Sequence, residues 1–182
     1  MKISSYLLTM AVLISLATGV YAQDNGTNHA FAVLKDSSGN TSGLARFTED
    51  GSGLVRVDVQ VNGISPGLHG IHIHKTGNCS PTFASAGDHY NPLGKKHGLG
   101  NPVGAHAGDL PNLEVNDAGV GRLNTTTDLV TISAGPATLF DSDGSALVIH
   151  AGADDQVTDP AGNSGDRIAC GVIEKGTLSV PF

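Results

Sequence analysis

Positive charge is scarce in this sequence. Lysine and arginine together number 10 against 17 aspartates and glutamates, so the formal net charge is -7, and aromatic residues make up only 4% of the chain. An acidic protein is repelled by nucleic-acid phosphates and by anionic lipid headgroups. The composition therefore argues against nucleic acid and against an anionic membrane as partners.

Long hydrophobic runs are also missing, except near the N-terminus. There Lys2 precedes the apolar run YLLTMAVLISLATGV, and the small residues Val20 and Ala22 fit cleavage after Ala22. The run is too short for a good membrane anchor. We predict that residues 1–22 are a signal peptide and that residues 23–182 form one exported domain, periplasmic or extracellular. The mature chain keeps 9 basic residues against 17 acidic ones, a net charge of -8.

Cysteine is the third scarce residue type. The two cysteines, Cys79 and Cys170, form no Cys-x-x-Cys redox motif. In an oxidising compartment an even pair of cysteines forms a disulfide. The two residues lie 91 positions apart, and for a loop of that size the chain-entropy model gives about 4.6 kcal/mol of stabilisation. We therefore interpret the pair as a structural cross-link and not as a catalytic thiol.

The pattern of the remaining sequence is typical of an all-β protein. Long apolar helical patterns are few, whereas 25 glycines and 8 prolines separate short alternating segments. In LVRVDVQV four valines alternate with Leu54, Arg56, Asp58 and Gln60, which is the two-residue period of a half-buried strand. Comparable segments are HAFAVLK, SGLARFT, GVGRLNTTT, ALVIH and RIACGVI. About eight strands are expected, which favours a sandwich or a flattened barrel.

Two long irregular segments, residues 75–113 and 151–166, interrupt the strands. Loops of that length in a compact domain are usually functional or disordered. Seven of the eight histidines fall between His69 and His150, and the first long loop holds three of them together with Cys79. This clustering favours a function for the loops over disorder.

The histidines form two groups that suit a metal ion. In GIHIH the isoleucines alternate with His72 and His74, so two imidazoles share one strand face. His150 on a later strand completes that group, and the second group is a possible tetrahedral set from the first loop, formed by His89, His97, His106 and Asp109. Imidazole nitrogen suits both zinc and copper. A zinc hydrolase with Asp109 or Asp154 as general base and a redox copper centre both stay open, with copper slightly favoured.

Six motifs carry a resemblance to a known family. GLHGIHIH, SAGDHYNP, KKHG, HAGDLPNL, ALVIHAGADD and GNSGDRIACGVI occur in this order across nearly the whole mature chain. They resemble the successive signatures of the Cu/Zn superoxide dismutases, and most of all those of the exported members. The resemblance implies an eight-stranded Greek-key β-barrel with two long functional loops.

The resemblance also implies one copper ion and one zinc ion per chain. The implied copper ligands are His72, His74, His89 and His150, and the implied zinc ligands are His89, His97, His106 and Asp109, with His89 bridging the two metals. Asp154 falls where the family has a carboxylate that links His72 to His97. His69 falls at a position that is structural in the family.

The implied reaction is the dismutation of superoxide to dioxygen and hydrogen peroxide. His89 would carry a proton, and Arg167 matches the arginine that attracts the anion beside copper. Residues 151–166 contain no lysine, so attraction either relies on Lys75, Lys95 and Lys96 together with Arg167 or is weaker. The alternative is a non-catalytic exported copper- and zinc-binding protein, but storage does not require a cation beside the metal. Family members occur as monomers, dimers and tetramers, and a homodimer is compatible with this sequence.

Overall fold

Ten strands and one short 3-10 helix form the regular structure of residues 27–177, the part of the chain that the computed structural model describes. The predicted signal peptide, residues 1–22, lies outside the described residues. The 3-10 helix spans Phe83–Ala86. The strands are β1 (Asn28–Asp36), β2 (Thr41–Glu49), β3 (Val55–Val61), β4 (Gly67–His69), β5 (Ile71–His74), β6 (Leu113–Val115), β7 (Gly121–Thr127), β8 (Ala146–His150), β9 (Arg167–Val172) and β10 (Glu174–Lys175).

The strands form one antiparallel sheet that is nearly closed on itself. Their order is β4-β6-β7-β3-β2-β1-β9-β8-β5, with β10 beside β1. The two ends of this order, β4 and β5, follow each other in the chain with only Gly70 between them. The predicted all-β barrel is confirmed. The eight expected strands are recovered when β4 with β5, and β9 with β10, are each counted as one interrupted strand.

Alternation along the strands fills the barrel with apolar side chains. The four valines of β3 are at most 3% exposed, whereas Arg56 is exposed. Phe47 of β2 and Leu34 of β1 are wholly buried in the same cluster. Burying such side chains is the dominant favourable term in folding, and the two-residue period directs them to one side of the sheet.

Strand β5 connects the core to the two long loops. Ile71 and Ile73 join the apolar core, while His72 and His74 point to the other face and are also fully buried. The first loop binds the free edge of β5, because the Ile73 N–H donates to Gly108 O at 2.8 Å. A Cβ on Gly108 would overlap the carbonyl oxygen of Ile73, so glycine permits this approach. The first loop thus covers this edge of β5 next to the two imidazoles.

The predicted disulfide is confirmed. Cys79 in the first long loop is bonded to Cys170 in β9, with 5.9 Å between the two Cα atoms. The bond therefore ties the loop to the strand that begins at Arg167. Among residues 27–177 no helix has the length and hydrophobicity needed to cross a bilayer.

Candidate metal centre

Four buried imidazoles meet on the outer face of β5 and β8. Two of them come from β5, one from the end of β8 and one from the first long loop. One ligand nitrogen from each lies within 4.8 Å of the others. We call this group the four-histidine cluster, and its members are His72, His74, His89 and His150.

Each ring of the four-histidine cluster has one buried nitrogen without a hydrogen-bond partner. Buried polar atoms are nearly always paired, so four such atoms in one place require an explanation. Converging imidazole lone pairs are the donor set of a copper or zinc site. The unpaired atoms are His72 Nδ1, His74 Nε2, His89 Nε2 and His150 Nε2.

The opposite ring nitrogens are held by oxygen atoms of the protein. His74 Nδ1 lies 2.9 Å from Gly87 O, and His150 Nδ1 lies 3.0 Å from Gly165 O. A carbonyl oxygen only accepts, so each of these nitrogens carries the proton. The lone pair of each ring is therefore on the unpaired nitrogen, and such outer contacts fix the orientation of metal-binding imidazoles.

Burial keeps these imidazoles neutral at pH 7. It lowers the pKa of His72 to about 3, that of His74 to about 2 and that of His150 to about 4. Hydrogen bonds to oxygen atoms act in the opposite direction but do not outweigh burial. Only a neutral imidazole can donate a lone pair to a metal ion, so these three rings are ready to bind one.

A second cluster surrounds one carboxylate oxygen of Asp109. The Nδ1 atoms of His89, His97 and His106 lie 3.0, 3.1 and 3.5 Å from Asp109 Oδ1, and His89 and His106 Nδ1 are 3.4 Å apart. Ligand atoms on a tetrahedral zinc ion with bonds of 2.0–2.1 Å are separated by about 3.3 Å. The spacing of this group, the Asp109 cluster, therefore fits a tetrahedral ion, and His89 belongs to both clusters.

The charges of the Asp109 cluster are set by hydrogen bonds that oppose burial. Burial alone would raise the pKa of Asp109, but hydrogen bonds from His89, His97 and the Gly98 N–H outweigh it and hold that pKa far below its usual value. Burial likewise favours neutral His97, yet hydrogen bonds to Asp109 and Asp154 raise its pKa to about 9. A metal ion bound here would displace that proton.

Asp154 connects the two clusters, at the position that the sequence indicated. Its Oδ2 lies 2.6 Å from His72 Nε2, and its Oδ1 lies 3.0 Å from His97 Nε2. The Asp154 side chain is fully buried. A Cβ at Gly162, which has φ of +59°, would overlap Asp154 Oδ1. The backbone of the second loop therefore packs directly on this carboxylate.

Arg167 shares a cleft with His89 and His150. Its Nη1 donates to Phe83 O at 2.7 Å and its Nη2 to Gly87 O at 2.6 Å, and the side chain is half-buried. Sequence reasoning missed both acceptors, because a backbone carbonyl leaves no trace in residue identity. The cleft thus leads to the four-histidine cluster past a fixed cation.

Carboxylates neutralise part of the positive charge of the lysines that we expected to assist Arg167. Lys75 Nζ lies 2.6 Å from Asp88 Oδ2, and Lys96 Nζ lies 2.9 Å from Asp159 Oδ2. Lys95 also lines the cleft and forms no ion pair with any of the described residues. The local positive charge is therefore concentrated on Arg167 and Lys95.

The structural role expected for His69 agrees with its surroundings. The ring is 1% exposed, and its nitrogens lie 2.7 Å from His150 O and 2.8 Å from Ser65 O. Tyr90 is buried next to His89 and donates its hydroxyl to Thr138 O at 2.7 Å. Neither side chain presents a free donor to the two clusters.

Comparisons with known proteins agree with this geometry. Residues 41–173 match the family model for copper/zinc superoxide dismutase (SODC). The chain is 44% identical over 175 residues to the Cu-Zn superoxide dismutase 2 of Aquifex aeolicus. The aligned region covers 94% of this chain and 98% of that relative. The Cu-Zn superoxide dismutase of Deinococcus radiodurans is 38% identical over 181 residues, covering 92% of this chain and 96% of that relative. The crystal structure of a SOD-like protein from Bacillus subtilis superimposes with a TM-score of 0.74 at 39% identity, covering 78% of this chain and 96% of that one. The chain belongs to the copper/zinc superoxide dismutase family.

Proposed function

We propose that this protein is an exported enzyme that converts superoxide to dioxygen and hydrogen peroxide. One observation carries the proposal: four unpaired imidazole nitrogens converge next to a cleft that contains the anchored guanidinium of Arg167. Copper would be held by the unpaired nitrogens of the four-histidine cluster. Zinc would be held by the Asp109 cluster, one ion of each metal per chain.

The metal and the protein divide the chemistry between them. A copper ion bound there supplies a one-electron couple that oxidises one superoxide to dioxygen and reduces the next, with two protons, to hydrogen peroxide. Arg167 binds the anion through charge-assisted hydrogen bonds from the N–H groups that the two carbonyls do not use. His89 Nε2 would carry one proton for the reduced product whenever it is not bound to copper, and the second proton would come from solvent, while its Nδ1 stays fixed by the Asp109 cluster.

A second candidate is a copper- and zinc-binding protein without turnover. The ion pairs of Lys75 with Asp88 and of Lys96 with Asp159 favour it, because they reduce the field that would attract an anion. One relative, 41% identical over 143 residues, is called superoxide dismutase-like protein YojM of Bacillus subtilis. Arg167 weighs against this candidate, since storage needs no fixed cation at the cleft.

Metal analysis combined with a superoxide-decay assay tests the proposal. Residues 23–182, reconstituted with copper and zinc, should contain near-equal amounts of both metals and should accelerate superoxide decay. His89→Ala should abolish activity and the spectroscopic coupling between the metals. His29→Ala is the matched control, because among the described side chains the His29 ring hydrogen-bonds only Thr27 and Thr48 and lies in neither cluster. Zinc in both clusters, or no zinc, would contradict the metal assignment. Two metals without activity would establish the second candidate.

Location follows from the cross-link. A disulfide between Cys79 and Cys170 indicates an oxidising compartment outside the cytoplasm. We propose export to the periplasm or to the extracellular space, and detection of the mature chain in those fractions would test it. The homodimer stays a prediction, which sedimentation of the mature protein would test.

A further inference from the structure

The two carbonyls that hold Arg167 lie at the two ends of one short turn. Phe83 is the first residue of the 3-10 helix and Gly87 follows its last residue. The Gly87 oxygen accepts from Arg167 Nη2 and also from His74 Nδ1. The position of this turn therefore sets the place of the guanidinium relative to the four-histidine cluster.

Side-chain packing at Phe83 anchors the turn. The ring is half-buried and packs against a small apolar cluster outside the barrel core. The other helical residues are Ala84, Ser85 and Ala86, and the N-cap residue Thr82 makes no side-chain hydrogen bond to the helix. Phe83 is thus the one large side chain of the turn. The members of this cluster are Ala86, Ala146, Val148 and Cys170, and Cys79 packs against it as Phe83 does.

We propose that Phe83 is a positioning residue for anion capture, acting through Arg167. The inference rests on the proposed function, because it assumes that Arg167 binds superoxide. Phe83→Ala keeps both carbonyl acceptors and the backbone hydrogen bonds of the turn, and it removes the side-chain packing of Phe83 on the turn. A loss of anion binding in this variant would therefore report the placement of Arg167 and not a missing hydrogen-bond group.

The test is a double-mutant cycle with an anion probe on the copper- and zinc-loaded mature protein. We measure the Kd of azide from the copper absorption band, the superoxide rate constant at low ionic strength, and the metal content. Phe83→Ala should weaken azide binding and lower the rate constant at least threefold with unchanged metal content, and Phe83→Leu should restore both. In the Arg167→Ala background Phe83→Ala should have no further effect, because residues that act through one group are not additive.

The outcomes separate this inference from the proposed function. An unchanged azide Kd in Phe83→Ala, or an equal loss in the presence and absence of Arg167, would overturn the positioning role. If Arg167→Ala itself leaves azide binding and activity unchanged, the proposed role of Arg167 in capture fails instead. Should Phe83→Ala not fold, Phe83→Val goes through the same cycle, with an intermediate loss expected and no loss overturning the inference.

Discussion

Removing the Cys79–Cys170 disulfide measures how much the link between the first long loop and β9 contributes to stability. The two residues are 91 positions apart, for which the chain-entropy model gives about 4.6 kcal/mol. In a domain of this size 1 kcal/mol corresponds to roughly 2–4 °C in Tm. The Cys79→Ser, Cys170→Ser variant should therefore unfold about 9–18 °C lower than the oxidised protein.

Thermal unfolding of the mature chain by circular dichroism is the assay. It is run with a chelator, because bound metal ions raise Tm by mass action and would mask the effect. Cys170 is 2% exposed, so serine adds a buried hydroxyl, and a matched Cys79→Ala, Cys170→Ala variant separates that contribution from the loss of the cross-link. An unchanged Tm in both variants, or two titratable thiols in the native exported protein, would refute the reasoning.

Two further predictions concern charge. Arg167→Ala should cut the superoxide rate constant at least tenfold, about 1.4 kcal/mol of transition-state stabilisation, with unchanged copper content and a weaker dependence on ionic strength. Lys95→Ala should have a smaller effect, and wild-type activity and salt dependence in Arg167→Ala would show that capture occurs elsewhere. In the metal-free protein, His72, His74 and His150 have folded pKa values of about 3, 2 and 4, below the unfolded value of about 6.5. The unfolded state then binds more protons below pH 6.5, so stability should fall as pH decreases from about 6.5 towards 4. The urea midpoint should be lower at pH 5 than at pH 7, and equal midpoints would contradict these depressed pKa values.

The strands and the two histidine groups could be predicted from the sequence, because the alternation of side chains along a strand is a local property. The valines of β3 and the isoleucines of β5 alternate with polar residues, and this period alone predicts which side chains enter the core. The three-residue strands β4 and β6 were not predicted individually. Segments that short have too few alternations to stand out, and their pairing with each other depends on partners more than 40 residues away.

The candidate site was likewise predictable from the sequence only in part. The residue types of both clusters and the pair Cys79 and Cys170 follow from composition, spacing and motif, so the sequence by itself determined that a histidine-rich metal site was to be expected, and the resemblance carried by the motifs implied its chemistry. Tertiary structure decided which ring nitrogens are left unpaired, which lysines are compensated by carboxylates, and that Phe83 O and Gly87 O hold Arg167. These features depend on contacts between segments far apart in the chain and on backbone atoms that every residue possesses, so no residue pattern encodes them.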